Sequence, residues 1–311
     1  MKIAILGTGG VGGYFGARLA KAGNDVIFLA RGEHLAAMRN NGLKVNSFLG
    51  DVYLATVNAT DQVDEIGEVD LMIVSVKAWQ VPGIADEVCK ILGSKTVVLP
   101  LQNGILAAEE LSEKIASDHI IGGLCRIISK IESPGVISHI GVDPLITLGE
   151  LNNQISERVE KIARIFNEAG IRAQVSSDIY AELWKKFISI CAGGILAVTR
   201  STYGEVRELY PVRKMMIDLM KEIFHLSNKV GINIDAGFLD KAVSFIDNFP
   251  YEASSSLARD VWDGKPSEIE YQNGTVVRLA NKYGLDVPIN SFVYYSILPM
   301  EKRARGISTY P

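Results

Sequence analysis

A glycine-rich segment near the start of the chain carries the most specific chemical pattern in the sequence. It reads Gly7-Thr8-Gly9-Gly10-Val11-Gly12, the pattern GxGxxG, and it follows a short apolar run and precedes a helical pattern. In such a turn the first glycine permits a tight bend, the second lets the backbone approach a pyrophosphate, and the third lets helix and strand pack closely. The free N–H groups at the helix N-terminus favour an anion. The segment therefore predicts a dinucleotide-binding site formed by these six residues, and a glycine-rich turn without a ligand is the simpler alternative.

The end of the second predicted strand indicates which nicotinamide cofactor this site accepts. An NAD-binding protein usually has Asp or Glu there, which binds the ribose 2′-hydroxyl. This sequence has Arg31 at that point and no acid in place, and Asp25 comes before the predicted strand. The guanidinium of Arg31 suits a bidentate, charge-assisted contact with a 2′-phosphate. We therefore predict NADPH (NADP+) as the cofactor, the alternative being that Arg31 is an ordinary solvated arginine.

Two further polar residues follow predicted strands, at the edge where open α/β sheets bind ligands. Lys77 comes directly after an apolar run, and Asn103 follows the next run in the turn Gln102-Asn103-Gly104. Both positions predict contacts with a bound ligand. Two simpler interpretations stay open, because lysine often leaves a strand for solvent and Asn-Gly often only forms a turn.

Reduction of a ketone by such a cofactor also needs a proton donor for the oxygen, and a positioned lysine can supply the proton and stabilise charge. The segment Ala181-Glu182-Leu183-Trp184-Lys185-Lys186-Phe187 places two lysines on one predicted helix. At helical spacing Lys186 neighbours Leu183 and Ile190, at the edge of the apolar stripe, whereas Lys185 faces the polar side. Lys186 is therefore the candidate catalytic lysine. A lysine whose stem only covers apolar surface is the alternative.

Hydroxyl and carboxylate groups suitable for a substrate site come later in the chain. They lie in Ser254-Ser255-Ser256 and in Glu268-Ile269-Glu270-Tyr271. Each has a structural alternative, because Glu268 can serve as a first-turn acid after Pro266 and the serines can cap a helix.

The elements that must position these residues fall into two classes. Short apolar runs predict strands of a parallel sheet buried on both faces, at 3–6, 26–29, 71–76 and 96–101. Helical patterns separate them at 11–22 and 79–92, which is typical of βαβ units. Residues 135–141 and 145–149 predict two more strands, an antiparallel pair extending the sheet. A helix at 153–169 and a last strand at 171–175 follow.

From residue 177 onward the sequence pattern is helical. Helices are predicted at 178–197, 211–230, 238–248, 266–283 and 291–303. The predicted fold class is α/β, with an N-terminal Rossmann-type dinucleotide-binding domain at 1–176 followed by an all-helical C-terminal domain at 177–311. The apolar faces of helices such as 211–230 are large enough for a homodimer, although the same faces can form the core.

Composition excludes several other classes of protein. The 311 residues are 48% hydrophobic with a net charge of −4 and no basic run, which predicts no nucleic-acid partner. No apolar stretch is long enough for a membrane span or a signal peptide, so no membrane partner is expected. The three cysteines form no metal-binding or disulfide pattern, which favours reduced thiols in the cytoplasm and no metal site.

Taken together, these motifs resemble those of the ketopantoate reductase (2-dehydropantoate 2-reductase) family along the whole chain. The segments that carry the resemblance are the opening glycine motif, Arg31, Ser75-Val76-Lys77-Ala78-Trp79-Gln80, Gln102-Asn103-Gly104, the segment ending in Lys185-Lys186, the triple serine, and Glu268-Ile269-Glu270-Tyr271-Gln272-Asn273-Gly274. The resemblance implies reduction of ketopantoate to pantoate with NADPH, on the route to pantothenate and coenzyme A. It also implies a Rossmann domain and a helical domain with the active site in the cleft between them.

The resemblance also implies individual roles. Lys186 matches the catalytic lysine of the family and is also expected to bind substrate. Glu268 matches its glutamate at the cofactor and substrate cleft and is the second expected catalytic residue. Ser256 matches a substrate-binding serine. Lys77 and Asn103 match residues on the nicotinamide side, Asn103 being placed to contact both cofactor and substrate.

The chain departs from the family pattern at three positions that typically carry asparagine. These positions are Ile190, Gly194 and Ala253. Apolar residues there cannot hydrogen-bond a substrate, so the preferred ketone is open. The leading hypothesis is hydride transfer from NADPH to C2 of a 2-oxo acid, with ketopantoate as the first substrate. The alternatives are a reductase of another small 2-oxo or 3-oxo acid and a non-catalytic NADPH-sensing protein.

Overall fold

The computed structural model describes residues 1–307. The chain forms two compact units. The first comprises Met1–Gln102 and Leu106–Glu182, and the second comprises Asn103–Ile105 and the chain from Leu183 onward. The chain passes from the first unit to the second after Glu182, inside a helix, and the domain limits 1–176 and 177–311 stay a prediction.

The first unit contains twelve strands and five α-helices among its described residues. The strands are β1 (Lys2–Leu6), β2 (Asp25–Leu29), β3 (Leu43–Ser47), β4 (Val52–Leu54), β5 (Asn58–Thr60), β6 (Leu71–Val74), β7 (Val97–Pro100), β8 (Ile121–Arg126), β9 (Ser129–Ser133), β10 (Val136–His139), β11 (Leu145–Glu150) and β12 (Arg172–Val175). The helices are α1 (Gly10–Lys21), α2 (Gly32–Asn41), α3 (Val81–Lys90), α4 (Ala107–Ser112) and α5 (Glu157–Glu168). Short 3₁₀ turns occupy Val63–Glu65, Ala78–Gln80 and Ser117–His119.

A five-stranded sheet in the order β5-β2-β1-β6-β7 forms the centre of this unit. All its strand pairs are parallel. Ile3, Ile5 and Leu71 are fully buried, as expected for strands covered on both faces. Each such side chain contributes about 1.5–3 kcal/mol through removal of apolar area from water. The four predicted parallel strands are confirmed, with ends that differ by one or two residues.

The prediction for residues 135–149 is wrong in its pairing. The strands β10 and β11 do form, but they belong to different sheets, β4-β3-β10-β9 and β12-β11-β8. The antiparallel partner of β10 is β9, and that of β11 is β8. An isolated parallel bridge between Val98 and Ile120 links the residue before β8 to β7 of the central sheet. The reason is that β8 and β9 supply nearer partners, and neither strand was predicted.

Eight α-helices are described from the end of the first unit through the second. They are α6 (Ile179–Cys191), α7 (Gly193–Thr199), α8 (Tyr203–Glu208), α9 (Tyr210–Lys229), α10 (Phe238–Asp247), α11 (Ser256–Trp262), α12 (Asn273–Tyr283) and α13 (Pro288–Ala304). A 3₁₀ turn, Ile269–Tyr271, precedes α12. No described residue after α6 begins is in a strand, and the predicted fold class, an α/β Rossmann-type domain followed by an all-helical one, is confirmed. None of the helices in residues 1–307 is both long and apolar enough to cross a bilayer.

Two helices predicted as continuous are interrupted. The predicted helix 178–197 breaks at Ala192 into α6 and α7, and the predicted helix 266–283 is a 3₁₀ turn followed by α12. The core of the second unit packs Phe187, Ile195 and Leu219, all fully buried, from three different helices. The first interruption follows the helix that carries Lys186, and the second follows Glu268 directly.

Candidate active site

The six-residue glycine segment follows β1 and includes the start of α1. Its glycines differ in how much space surrounds them. Gly7 has a φ of +103°, and a Cβ there would lie 2.7 Å from the Val76 nitrogen. A Cβ on Gly12 would lie 2.2 Å from the Gly7 oxygen, so Gly12 lets α1 pack against the turn. A Cβ on Gly9 would meet nothing within 4 Å. Gly9 therefore faces open space, as expected where a ligand approaches the backbone.

The other members of the segment are held by neighbouring backbone. Thr8 is buried and donates its N–H and its hydroxyl to the Leu29 oxygen, each at 3.0 Å, so its side chain anchors the turn to β2. Gly10 begins α1, and a Cβ there would lie 2.5 Å from the Ser129 oxygen. The N–H groups of the first helical turn, which includes Val11, have no intrahelical acceptor. The segment thus offers an anion site made of backbone, and it fits a dinucleotide pyrophosphate.

Arg31 lies just beyond the end of β2 and is exposed. It precedes α2, and its side chain does not cap that helix. The neighbouring Gly32 has a φ of +58°, which turns the chain sharply after the strand. An exposed guanidinium in this position fits the 2′-phosphate of NADP+, and the role of Arg31 stays a prediction.

Lys77 and Gln102 stand at the ends of neighbouring strands β6 and β7. Lys77 is exposed, with its Nζ 5.7 Å from the centre of the Trp79 ring. Gln102 is buried, and its Nε2 donates to the Val74 oxygen at 2.9 Å and to the Val76 oxygen at 3.1 Å. Gln102 thus joins the two strand ends that carry the predicted ligand contacts. The role of Lys77 stays a prediction.

Asn103 and Glu268, far apart in the sequence, are joined within the second unit. The Asn103 Nδ2 donates to the Glu268 Oε2 at 3.0 Å. The adjacent Gly104 has a φ of +101°, and a Cβ there would lie 2.9 Å from the Tyr271 oxygen. The Asn-Gly turn therefore packs closely against the segment that carries Glu268. It is more than a surface turn, although its contact with cofactor or substrate stays a prediction.

Glu268 is only 6% exposed, and its backbone is fixed by a buried polar cluster that the sequence did not reveal. The neighbouring Ser267 donates its N–H and its hydroxyl to the Glu301 Oε2, at 2.8 and 2.6 Å. Arg305 pairs with the other oxygen of Glu301 at 2.5 Å and donates to the Ser267 oxygen at 3.1 Å. Ser267 and Glu301 are almost fully buried. The cluster orients the chain immediately before Glu268.

Glu270, two residues further on, has a structural task. Its carboxylate accepts hydrogen bonds from the Tyr294 hydroxyl at 2.9 Å and from Arg278 at 3.0 Å. Burial, and then the bond to Glu270, raise the pKa of Tyr294 to about 12. Of the two acids in this segment, Glu270 holds helices together and Glu268 faces Asn103.

Lys186 lies on α6 next to the fully buried Phe187, and Lys186 itself is half-buried. The predicted partial burial is present, but Lys185 is half-buried as well, so burial does not separate the two lysines. Cys191 ends the same helix, and complete burial raises the pKa of its thiol well above the usual value. That thiol is therefore protonated and inert at neutral pH. The catalytic role of Lys186 stays a prediction.

The three serines precede and begin α11 and differ in their contacts. Ser255 is the N-cap residue, and its hydroxyl accepts from the Ala258 N–H at 3.0 Å. Ser254 accepts from Arg259 through both its backbone oxygen and its hydroxyl. Ser256 begins the helix and is exposed. The capping alternative thus describes Ser255, while the proposed substrate contact of Ser256 is untested.

The three positions that depart from the family pattern take part in packing. Ile190 and Ala253 are half-buried against the core of the second unit. A Cβ on Gly194 would lie 2.5 Å from the Val293 Cγ1 and 2.8 Å from the Asn273 Oδ1. An asparagine at 194 would therefore displace both neighbours. These positions give the second unit apolar surface where the family pattern has amides.

Within residues 1–307, no group of three or more histidine, cysteine, aspartate or glutamate side chains is arranged to hold a metal ion. The Rossmann-type unit, with its glycine turn, and the helical unit, with its lysine and carboxylate, define a dinucleotide-dependent oxidoreductase. Comparison with known families gives the particular class. The family described as Ketopantoate reductase PanE/ApbA matches residues 3–153, and its C-terminal counterpart matches residues 178–301. The chain belongs to the ketopantoate reductase family, whose members use NADPH to reduce a ketone.

Individual relatives and solved structures agree along the whole chain. The Nostoc sp. (strain PCC 7120) protein named 2-dehydropantoate 2-reductase is 32% identical, over 98% of this chain and 96% of the relative. The Bacillus subtilis (strain 168) protein named uncharacterized oxidoreductase YkpB is 28% identical, over 96% and 98%. The crystal structure of 2-dehydropantoate 2-reductase from Geobacter metallireducens superposes with a TM-score of 0.90 at 29% identity, over 96% and 99%. D-mandelate dehydrogenase in a ternary structure with NADH and anilino(oxo)acetate has the same fold, with a TM-score of 0.89 at 23% identity over 99% and 100%.

Proposed function

We propose that this oxidoreductase reduces ketopantoate to pantoate with NADPH, as in pantothenate and coenzyme A biosynthesis. The observation that supports this most strongly is the 3.0 Å bond between Asn103 and buried Glu268, which joins two family motifs within the unit that also carries Lys186. Relatives named 2-dehydropantoate 2-reductase along nearly the full chain support the same substrate.

The residues of the first unit would hold the cofactor. Bound NADPH supplies a hydride to the carbonyl carbon of the substrate. The α1 N–H groups around Gly9 would bind the pyrophosphate, because the backbone there is open and the helix N-terminus favours an anion. Arg31 would pair with the 2′-phosphate and so select NADPH over NADH.

The residues of the second unit would handle the substrate oxygen. The Lys186 ammonium would hydrogen-bond the ketone oxygen and donate a proton as the carbon gains the hydride, so that a hydroxyl forms and the amine is left neutral. Solvent would then return a proton to the lysine Nζ. Asn103, Ser256 and Glu268 would orient the reactants.

A second candidate substrate is another small 2-oxo or 3-oxo acid. The apolar Ile190, Gly194 and Ala253 favour this possibility, because the backbone at Gly194 leaves no room for an amide side chain. A substrate whose tail lacks a hydroxyl would lose nothing at such positions.

A matched pair of ketones separates the two candidates. The purified protein is first titrated with NADPH and with NADH, and NADPH is expected to bind more tightly. Initial rates are then compared for ketopantoate and for 3,3-dimethyl-2-oxobutanoate, which has the same carbon skeleton but no hydroxyl. If the site binds that hydroxyl, kcat/KM for ketopantoate is higher by a factor of about 100 or more. Equal or reversed values would reject ketopantoate as the preferred substrate.

The oligomeric state and the cellular location are also proposals. A homodimer built on the apolar faces of the helices, and a cytoplasmic location, stay predictions. Sedimentation of the purified protein would test the first, and fractionation of cells the second.

A further inference from the structure

The helix that carries Lys186 ends abruptly five residues later. In a continuous helix the Cys191 oxygen would accept from the Ile195 N–H, but that group donates to the Ala192 oxygen at 3.1 Å instead. Helix α6 therefore stops at Cys191 and α7 begins at Gly193. The Cys191 carbonyl is left at a buried helix end without its regular donor, a condition that normally requires a replacement.

The replacement donor is the side chain of Asn273. This residue begins α12 and is 0% exposed. Its Nδ2 donates to the Cys191 oxygen at 3.3 Å and to the Asn290 Oδ1 at 3.0 Å. Two acceptors thus share the amide nitrogen, which determines the orientation of the amide. A single side chain on another helix restores the bond that the break in the α6–α7 segment removes.

Asn290, the partner of Asn273, is itself held by two groups of α9. Its Nδ2 donates to the Leu219 oxygen at 3.2 Å and to the Glu222 Oε2 at 2.8 Å. Glu222 also accepts the N–H groups of Ile289 and Asn290, each at 3.0 Å, and so caps the start of α13. The chain Glu222–Asn290–Asn273–Cys191 therefore links α9, α13 and α12 to the end of α6. Each hydrogen bond in this chain restrains the side chain that makes the next one.

Gly194 makes the arrangement sterically possible. A Cβ at this position would lie 2.8 Å from the Asn273 Oδ1 and 2.5 Å from the Val293 Cγ1. Glycine after the break lets Asn273 reach the Cys191 carbonyl. The departure of residue 194 from the family pattern is thus coupled to the placement of Asn273.

We propose that Asn273 is a positioning residue, which fixes the end of α6 and thereby the place of the Lys186 ammonium during proton donation. The inference rests on the proposed function, because it takes Lys186 as the proton donor. Lys186 is little more than one helical turn before Cys191, so loosening the helix end moves the lysine. A displacement of about 1 Å in a catalytic group can lower a rate about 100-fold.

Three variants test this inference: Asn273→Asp, Asn273→Ala and Gly194→Ala. The first loses the donor at nearly constant volume, and the third displaces the Asn273 side chain without removing it. Each is compared with the native enzyme for kcat, KM, the NADPH dissociation constant and the solvent deuterium isotope effect on kcat. We expect kcat to fall about 10- to 100-fold, with KM and the NADPH dissociation constant changed less than about threefold. The solvent isotope effect should rise, because proton donation becomes slower than the other steps.

The matched control is Trp262→Phe. The Trp262 Nε1 donates to the Ala197 oxygen at 3.3 Å, so this variant also removes one side-chain N–H from a carbonyl of the same α6–α7 segment, but beyond the break. Its kcat and isotope effect should stay within about twofold of native, because Lys186 is not held by that bond. Circular dichroism gives the folded fraction of every variant, by which kcat is corrected.

The outcomes separate this inference from the proposed function. Native kcat and isotope effect in folded Asn273 and Gly194 variants would overturn the positioning role, as would a loss of kcat that equals the loss of folded protein with an unchanged isotope effect. Lys186→Ala is measured alongside. If it keeps native activity, the proton donor is wrong and the proposed mechanism fails. If it is inactive while the Asn273 variants are native, only the positioning role fails.

Discussion

The glycine segment of the first unit, Gly7–Gly12, and the Glu268 region of the second unit are built by different means. The first is made of backbone, in which Gly7 and Gly12 fit tightly and Gly9 faces open space. The second is made of side chains, and Glu268 is oriented by the buried cluster of Ser267, Glu301 and Arg305. A site made of glycine backbone requires that no Cβ fills the space beside the chain. A site made of side chains requires hydrogen-bonding partners from other helices. The two regions should therefore fail in different ways when they are mutated.

The largest expected effect is on catalysis in the second unit. Lys186→Ala should lower kcat about 1,000-fold, because a positioned general acid typically contributes about 100- to 10,000-fold. The NADPH dissociation constant, measured by fluorescence titration, should change little, because Lys186 is proposed to contact the substrate oxygen and not the cofactor phosphates. Lys185→Ala, one residue away and equally half-buried, is the control and should keep native kcat. A native rate in Lys186→Ala would contradict the assignment.

The next effect is on cofactor binding and separates two glycines of one motif. Gly9→Val should weaken NADPH binding about 100-fold or more while leaving the melting temperature nearly native, because its Cβ meets nothing within 4 Å. Gly12→Val should instead prevent stable folding, because its Cβ would lie 2.2 Å from the Gly7 oxygen. Calorimetric titration and thermal unfolding measure both. Equal loss of stability in the two variants would break the distinction.

Arg31→Ala should have a smaller effect, confined to the choice of cofactor. A hydrogen-bonded charge pair contributes about 1.5–3 kcal/mol, so the preference for NADPH over NADH should fall about 10- to 100-fold. The measured quantity is the ratio of kcat/KM for the two cofactors. Arg39→Ala, on the far end of α2, is the control. An unchanged ratio in Arg31→Ala would show that another group reads the 2′-phosphate.

The smallest expected effect is on the stability of the Glu268 region. Ser267→Ala removes a fully buried hydroxyl from the Glu301 carboxylate and should lower the free energy of unfolding by about 1.5–3 kcal/mol. Ser227→Ala also removes a fully buried hydroxyl, but its acceptor is a carbonyl of its own helix. That control should lose about 1 kcal/mol or less. Urea titration measures the free energy of unfolding of both variants. Equal losses would show that the Ser267–Glu301 bond contributes no more than an ordinary buried hydroxyl.

The contrast between local patterns and partners distant in sequence also explains which elements the sequence could predict. The central strands were predictable because each is a short, continuous apolar run, as in β1 and β6. Strand β9 is polar and mostly exposed, and β5 is only three residues long with a single apolar residue, so neither has an apolar period to recognise. The pairing error at β10 and β11 followed from the failure to predict their antiparallel partners, β9 and β8. Short helices such as α8 and α11 likewise fall below the length at which periodicity is clear.

The candidate site was predictable only in part. The glycine segment and Arg31 are local patterns, and their chemistry follows from position along one βαβ unit. The buried partners were not predictable, because Asn273, Asn290 and Glu222 come from three helices and meet only in the folded chain. A weak signal existed for Glu301, an acid on the core-facing side of the last helix. No proline near Ala192 indicates in the sequence that the helix breaks there.

Gly9 has a further meaning for the history of such chains. It is the one glycine of its motif at which a Cβ would meet no atom within 4 Å, so folding alone does not require glycine there. On the proposed function, a relative that kept Gly7 and Gly12 but lost Gly9 would retain the fold and lose coenzyme binding. The residue at position 9 would therefore distinguish relatives that act as reductases from relatives that keep the fold for another function.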